Sequence, residues 1–420
     1  SEYEKGWKIN EVMPINSAGF ITARDHFVIG FSEEDLLTRM NDFSDPEISD
    51  EDIRNKYFVG TGSSKYPDGD TRGWKLDEAR KTVSADEKKD DRIRTCLYRP
   101  FDERRVYWAD WMIDWPRTNV TRHMQYGNSP ALITRRQMLP GHPCNYFWIT
   151  DRIALDGVIR SDNRGSESLF PLYVQSGDPS LDGNRGWRAN MSAQCVEMFT
   201  SRVDLTWLEQ GSGDLQGTFG PEDIMHWIYA LFHSQTYRER FADQLRNEFP
   251  RVWGPPDVDL FRSLCRSGQR LVAAHLLSAE EPIVQDFVWE GTGCPVVGRG
   301  FPKYDGTRIW IDGQVQVQVL EIPVPVRCKD ARGSRIGGSQ CQGGPEQQHE
   351  RESNVITRGH KSQDRGRWVG SRVYARFVAV GVLGRLGSDS GLLDGPREQP
   401  TWMLHAFTQD SVQLPGHRFR

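Results

Sequence analysis

The sequence predicts an α+β fold with a mixed, twisted β-sheet, a packed helical subdomain and a poorly ordered C-terminal tail. Residues 91–175 are rich in β-branched and aromatic side chains divided by Pro, Gly and Asn, which is typical of strands. Residues 221–277 change to apolar spacings of three and four, which indicate helices. Beyond about residue 320 no apolar period continues.

The first 90 residues are interpreted as a connecting segment. In SEEDLLTRMNDF, residues 32–43, Ser32 is a typical helix cap and acids fill the first turn. Residues 57–74 are rich in Gly, Ser and Asp and predict a loop. FVGTG, Phe58–Gly62, matches a turn that binds S-adenosylmethionine, but that turn requires a buried strand before it, and the charged DEDIRNKY precedes it here. We therefore predict a loop without cofactor.

The middle of the chain, residues 91–320, is interpreted as one domain built on the mixed sheet. Its predicted strands are CLYRPF, RVYWADW, ALITRRQ and the long stretch NYFWITDRIALDGVI. In YRPFD, the proximity of Asp102 to Arg99 predicts a local ion pair with a structural role.

Helices are predicted within the same domain over residues 221–277. Pro221 with acids behind it suits a helix start, and residues 221–252 predict two helices in an antiparallel hairpin. A third helix is predicted from about residue 257 to residue 277. His275 lies on its apolar face and is predicted to be a buried, hydrogen-bonded core residue. Further strands are predicted at residues 284–291 and 307–320.

Residues 321–420 form a Gly- and Arg-rich tail. They hold 14 of the 40 glycines, and 15 Lys and Arg against 10 Asp and Glu, without an apolar period. We expect this tail to be disordered or translated out of frame.

Charge is distributed unevenly along the chain. The formal net charge is −5, yet residues 92–164 carry twelve Arg against seven acids, which makes that segment positive and suited to a polyanion. Seven well-separated cysteines predict neither a disulfide framework nor a zinc site. Apolar runs are far shorter than the roughly 20 residues that a membrane helix needs. We expect a cytoplasmic protein without membrane contact.

Several ordered blocks carry a family resemblance. They are YRPFDERRVYW (98–108), PRTNVTRHM (116–124), ALITRRQ (131–137), LFPLY (169–173), IYALFHSQTYRERFADQLRNEFPRV (228–252) and AHLL (274–277). Together they resemble the C-terminal specificity region of type ISP restriction-modification enzymes and related adenine-specific DNA methyltransferases. PINSAGFITARD, residues 14–25, is similar to the segment that joins the methyltransferase core to that region. The similarity extends over roughly residues 7–313.

The resemblance implies a target-recognition domain that reads a short DNA site. The full-length enzyme would carry a nuclease, an ATP-driven translocase and a methyltransferase upstream, with S-adenosylmethionine, ATP and Mg as cofactors. This chain would be a recognition module separated from those domains, and it would position an adenine in double-stranded DNA. No catalytic motif, cofactor site or metal site is expected in it.

Arginines are the candidate DNA-binding residues, because a guanidinium can fork onto guanine or neutralise a phosphate. The predicted set is Arg104, Arg105, Arg117, Arg122, Arg135 and Arg136, with Arg160, Asn163 and Arg164 on a loop near the groove. Two alternatives stay open. One is a protein-interaction scaffold in which the 221–277 helices dock on another subunit. The other is a complete adenine methyltransferase that uses Phe58–Gly62 as its cofactor loop.

Overall fold

The computed structural model describes residues 2–127, 129–140, 144–159, 166–175 and 186–278, together with four short strands between residues 287 and 319. The chain forms two compact units, one over the residues up to 279 and one that contains those four strands. The tail 321–420 lies outside the described residues. The domain boundaries near residues 90 and 320 stay predictions.

Helices are distributed along the whole first unit. The α-helices are α1 (Ile9–Val12), α2 (Asp25–Val28), α3 (Glu33–Ser44), α4 (Asp50–Tyr57), α5 (Leu76–Ser84), α6 (Thr118–Thr121), α7 (Ala193–Val203), α8 (Pro221–His233), α9 (Gln235–Arg240), α10 (Ala242–Leu245) and α11 (Val258–His275), and the 3-10 helices are Tyr3–Lys5 and Lys89–Arg92. None of the described helices is both long enough and apolar enough to cross a membrane.

Strands are short and concentrate in the middle of the chain. They are β1 (Trp7–Lys8), β2 (Ser17–Ala18), β3 (Ile29–Gly30), β4 (Ile93–Arg99), β5 (Asp102–Tyr107), β6 (Ala131–Thr134), β7 (Phe147–Thr150), β8 (Ile153–Ala154), β9 (Ser168–Pro171), β10 (Tyr173–Gln175), β11 (Trp187–Ala189), β12 (Thr206–Trp207), β13 (Thr218–Phe219), β14 (Arg251–Val252), β15 (Phe287–Glu290), β16 (Lys303–Tyr304), β17 (Arg308–Trp310) and β18 (Gln316–Val319). The α+β prediction is therefore confirmed.

Two four-stranded sheets organise the first unit. One has the order β2-β9-β6-β7 and is antiparallel, and the other has the order β3-β5-β4-β8, in which β4 and β8 are parallel. The predicted strand at 145–159 is divided between them, because the chain leaves β7 at Thr150 and joins the second sheet at Ile153. In the second unit, β15-β18-β17-β16 form an antiparallel sheet.

Side-chain caps fix the starts of several helices. Ser32 Oγ accepts a hydrogen bond from Asp35 N at 3.1 Å, which confirms the cap predicted for α3. Asp257 accepts from Leu260 N at 2.8 Å and begins α11 at the predicted position. These local interactions satisfy amide groups that have no partner within the helix.

Helices α8 and α11 form the closest helix pair. A Cβ atom on Gly268 of α11 would lie 1.8 Å from the carbonyl oxygen of His226 on α8, so only glycine permits this approach. Further along both helices, the Tyr229 hydroxyl hydrogen-bonds to His275 Nδ1. Gly268 and His275 of α11 contact His226 and Tyr229 of α8 in the same order along the chain, so the two helices run in the same direction. The predicted second helix of a hairpin is instead the short pair α9 and α10.

These helices pack against the sheet strand β7. The rings of Phe147 and Phe232 stack with centroids 4.7 Å apart, and Trp148 lies 4.6 Å from the His275 ring. Trp148 also contacts Phe101 at 4.8 Å, in the turn between β4 and β5. The helical layer therefore supports the arginine-rich β4–β5 hairpin through a continuous aromatic path.

The loop that follows α4 differs from a nucleotide-binding turn. A helix, not a strand, precedes Phe58. The Asp68 carboxylate accepts hydrogen bonds from the amides of Gly60 and Gly62, at 3.0 and 2.6 Å. A side chain of the protein therefore occupies the amides that a cofactor would need.

We expect Gly268→Ala to lower the free energy of unfolding by about 1–3 kcal/mol, because the new methyl group collides with the α8 backbone. Urea unfolding followed by circular dichroism measures this. Gly73→Ala is the matched control, since a Cβ there meets no atom within 4 Å, and it should leave stability unchanged or slightly raised. Equal stability of both variants would contradict the close helix contact.

Burial lowers the pKa of His275 from 6.5 to about 4. The unfolded chain therefore protonates this histidine at higher pH than the folded chain, and the free energy of unfolding should fall as pH drops from 6.5 toward 4. In His275→Gln that fall should be smaller. Urea unfolding across this pH range measures both slopes, and identical slopes would show that His275 is not buried in its neutral form.

Candidate nucleic-acid interface

The β4–β5 hairpin places its arginines against aromatic rings and carboxylates. The Arg104 guanidinium lies between Phe31 and Tyr98, 4.5 and 3.9 Å from the ring centroids, and donates to both Asp102 oxygens at 2.8–3.1 Å. The ion pair predicted between Asp102 and Arg99 is therefore wrong, because the partner of Asp102 is Arg104. Arg99 instead stacks on Tyr98 at 4.4 Å and donates to the Tyr98 carbonyl at 2.6 Å.

Arg105 is also engaged within the protein. It donates to Thr95 Oγ1 on the neighbouring strand, and its Nε lies 3.8 Å from a Glu33 carboxylate oxygen. Its side chain remains 39% exposed. Because carboxylates of Asp102 and Glu33 lie against Arg104 and Arg105, the geometry does not favour these two as primary DNA contacts.

Arg135 departs from the prediction. Its residue surface is only 3% exposed, and its guanidinium donates to Glu167 Oε1 at 2.8 Å. Burial raises the pKa of Glu167, and Arg135 opposes that rise. An arginine buried beside a carboxylate cannot reach DNA, so Arg135 is a structural residue. The adjacent Arg136 is exposed and makes no ion pair with any described residue.

The exposed Trp115 and the partly buried Arg117 form an aromatic-cation pair between β5 and α6. Trp115 is 53% exposed, although its backbone is held by two hydrogen bonds to Ile21, at 2.9 and 3.0 Å. The Arg117 guanidinium lies 4.6 Å from the Trp115 ring centroid. Arg117 has φ 54°, a left-handed conformation that costs a non-glycine residue about 1–2 kcal/mol. Strain of this kind is often retained where a side chain must point in a required direction.

His123 lies between two arginines after α6. Burial, assisted by the positive charges of Arg122 and Arg188, lowers the pKa of His123 to about 4. Its Nδ1 accepts from Gln175 N at 3.1 Å. Its Nε2 lies 3.3 Å from Arg122 Nε. The exposed guanidiniums of Arg122 and Arg188 make no ion pair with a described carboxylate.

Arg94 and Tyr126 form a cation–aromatic pair that was not predicted from the sequence. The Arg94 guanidinium lies 4.9 Å from the Tyr126 ring centroid, and Nη2 donates to the tyrosine hydroxyl at 3.2 Å. Tyr126 is 68% exposed. The sequence shows only that this segment is rich in Arg and aromatic residues. That composition does not reveal which residues pair when they lie 32 positions apart.

We define the candidate interface as the exposed residues Trp115, Arg122 and Arg188 with the partly buried Arg94 and Arg117. Arg136 lies beyond the far end of β6, and no observed contact joins it to this group. The predicted loop residues Arg160, Asn163 and Arg164 lie outside the described residues. Within the described residues, no cluster of three His, Cys, Asp or Glu side chains could hold a metal ion.

Comparisons with solved structures support the fold. The chain is similar to a chain of the DrdV–DNA complex, with 18% identity, a TM-score of 0.50, and coverage of 73% of this chain and 29% of that one. It is also similar to the ATP-dependent Type ISP restriction-modification enzyme LlaBIII bound to DNA, with 16% identity, a TM-score of 0.50, and coverage of 77% and 20%. The chain thus spans less than a third of either solved chain. No curated protein sequence matches it.

A family model described as the Type ISP C-terminal specificity domain matches residues 11–323 of the 420. The match contains both four-stranded sheets of the first unit, the helix pair α8 and α11, and the candidate interface. It also agrees with the blocks on which the sequence resemblance depends. The chain therefore belongs to the Type ISP C-terminal specificity domain family.

Proposed function

We propose that this chain is the DNA target-recognition module of a restriction-modification enzyme. Family membership supports this role, and both similar solved chains belong to complexes with DNA. The observation that carries the proposal is the candidate interface, where Arg94, Arg117 and Arg122 make no ion pair with a described carboxylate. Elsewhere in the same segment, Arg104 and Arg135 are neutralised by acids.

The arrangement suits a duplex in two ways. Guanidinium groups that no carboxylate neutralises keep their charge for the duplex, and their solvent-facing N–H groups can donate to phosphates or to the O6 and N7 atoms of guanine. Phosphate contacts fix the register of the protein on DNA, whereas base contacts select the sequence. Arg117, Arg122 and Arg136 are retained from the predicted DNA-binding set, and Arg94 and Arg188 are added to it.

Methyl transfer is assigned to another part of the enzyme. We propose an upstream methyltransferase domain that uses S-adenosylmethionine and a translocase that uses ATP and Mg. The Phe58–Gly62 loop does not fit S-adenosylmethionine, because Asp68 occupies its amides and α4 precedes it. The module would position an adenine, and its contacts with DNA would offset part of the cost of unstacking that base, a few kcal/mol.

Arg117 offers a sharp test of the proposal. Arg117→Ala and Arg117→Gly both remove the guanidinium, so both should weaken duplex binding by about tenfold, within the 1–3 kcal/mol of a good arginine contact. Only glycine relieves the left-handed backbone, so Arg117→Gly should be about 1 kcal/mol more stable than Arg117→Ala. Fluorescence anisotropy with labelled duplex DNA and urea unfolding measure the two effects.

Arg270→Ala is the charge-matched control, because Arg270 is an exposed arginine on α11, outside the candidate interface. It should retain wild-type affinity. A wild-type chain that binds no duplex would favour the scaffold alternative. Equal losses in Arg117→Ala and Arg270→Ala would mean that general charge, not the candidate interface, determines binding.

A further inference from the structure

A shallow cleft lies beside the candidate interface. It has a volume of about 330 Å³ and is lined by Arg92, Arg94, Trp108, Ala109, Asp110, Trp111, Gln125 and Tyr126. The volume is at the low end of the roughly 300–1,000 Å³ of small-molecule pockets. A DNA duplex cannot enter a cleft of this volume. One planar group of the size of a nucleobase can.

Aromatic rings form the walls of this cleft. Trp108 lines the cleft but is only 5% exposed, so it offers little surface to a ligand, and Trp111 is partly buried. Tyr126 projects into solvent as the exposed wall. Rings of this kind stack nucleobases, and each stacked base contributes about 1–3 kcal/mol when measured by alanine substitution.

The exposed wall is held in place by Arg94. Arg94 Nη1 donates to the carbonyls of Asp91 and Ile93, at 2.6 and 2.9 Å, while Nη2 donates to the Tyr126 hydroxyl. The tyrosine is therefore anchored at its hydroxyl and along one side of its ring despite its exposure. Such preorganisation lowers the entropy cost of binding.

The polar groups of the cleft can read a base edge. Arg92 forms a bidentate pair with Asp86, at 2.8 and 3.1 Å, and so braces the cleft instead of offering free donors. Asp110 is exposed and accepts no hydrogen bond from a described residue. Gln125 adds an amide that both donates and accepts. A carboxylate accepts from an exocyclic amino group, which cytosine and adenine carry and thymine lacks.

We propose that this cleft binds a single unpaired DNA base that carries an exocyclic amino group. The base stacks on Tyr126, and its amino group donates to Asp110, with Gln125 at a neighbouring position of its edge. This inference rests on the proposed DNA-binding function and extends it, because it assigns a base-binding site separate from the arginine contacts to the duplex.

The test compares three duplexes with identical flanks: fully paired, with one bulged cytosine, and with one bulged thymine. Anisotropy titrations give the affinity of the full chain for each, and the ratio of bulged to paired affinity is the readout. We expect the wild type to bind the cytosine bulge about tenfold more tightly than the paired duplex. The thymine bulge should bind less tightly than the cytosine bulge.

Variants separate the stacking from the edge contact. Tyr126→Ala should reduce the cytosine ratio to about one, while Tyr126→Phe, which keeps the ring, should retain most of it. Asp110→Asn should remove the preference for cytosine over thymine but retain a bulge advantage. Circular dichroism and urea midpoints confirm that each variant is folded, and the use of ratios cancels any loss of general affinity.

Two failures are distinguishable. If the wild type binds none of the duplexes, the proposed function itself is wrong. If it binds paired and bulged duplexes equally, or if Tyr126→Ala keeps the full ratio, the cleft is not a base-binding site and the proposed function stands.

Discussion

A guanidinium paired with a carboxylate is neutralised within the protein, whereas one that contacts only rings, carbonyls or hydroxyls keeps its positive charge for a polyanion. Both arrangements occur within one segment of this chain. Asp102 occupies the edge of Arg104 and Glu167 neutralises Arg135, while Arg94 stacks on Tyr126 and Arg117 stacks on Trp115. The structure therefore divides the arginines of this segment into those that hold the fold and those that remain available to a polyanion.

The packed helices contact the β4–β5 hairpin, whose first strand also carries Arg94. Gly268 lets α11 approach α8 closely, and α11 then presents His275 to Trp148. Trp148 contacts Phe101 at the turn of the β4–β5 hairpin. This contact lies in the turn after β4, and Arg94 lies at the other end of the same strand. The helices thus have a structural role that does not require a partner subunit.

Local features of this fold were predictable from sequence, and long-range pairing was not. Ser32 specifies a helix start by accepting from a nearby amide and Pro221 by its fixed φ at the first helical position, so α3 and α8 were predicted near their observed positions. Glu167 lies 32 positions from Arg135, and no local pattern reveals that ion pair. The same limit applies to Tyr126, whose partner Arg94 is equally distant. The division of the strands into two sheets also depends on pairing between distant residues.

The salt dependence of duplex affinity tests the central claim most directly. If about four arginines of the candidate interface contact phosphates, the logarithm of the association constant should fall linearly with the logarithm of salt concentration, with a slope of about −4. Anisotropy titrations of the full chain over a series of KCl concentrations give this slope. A slope near zero, or no duplex binding at low salt, would contradict the account.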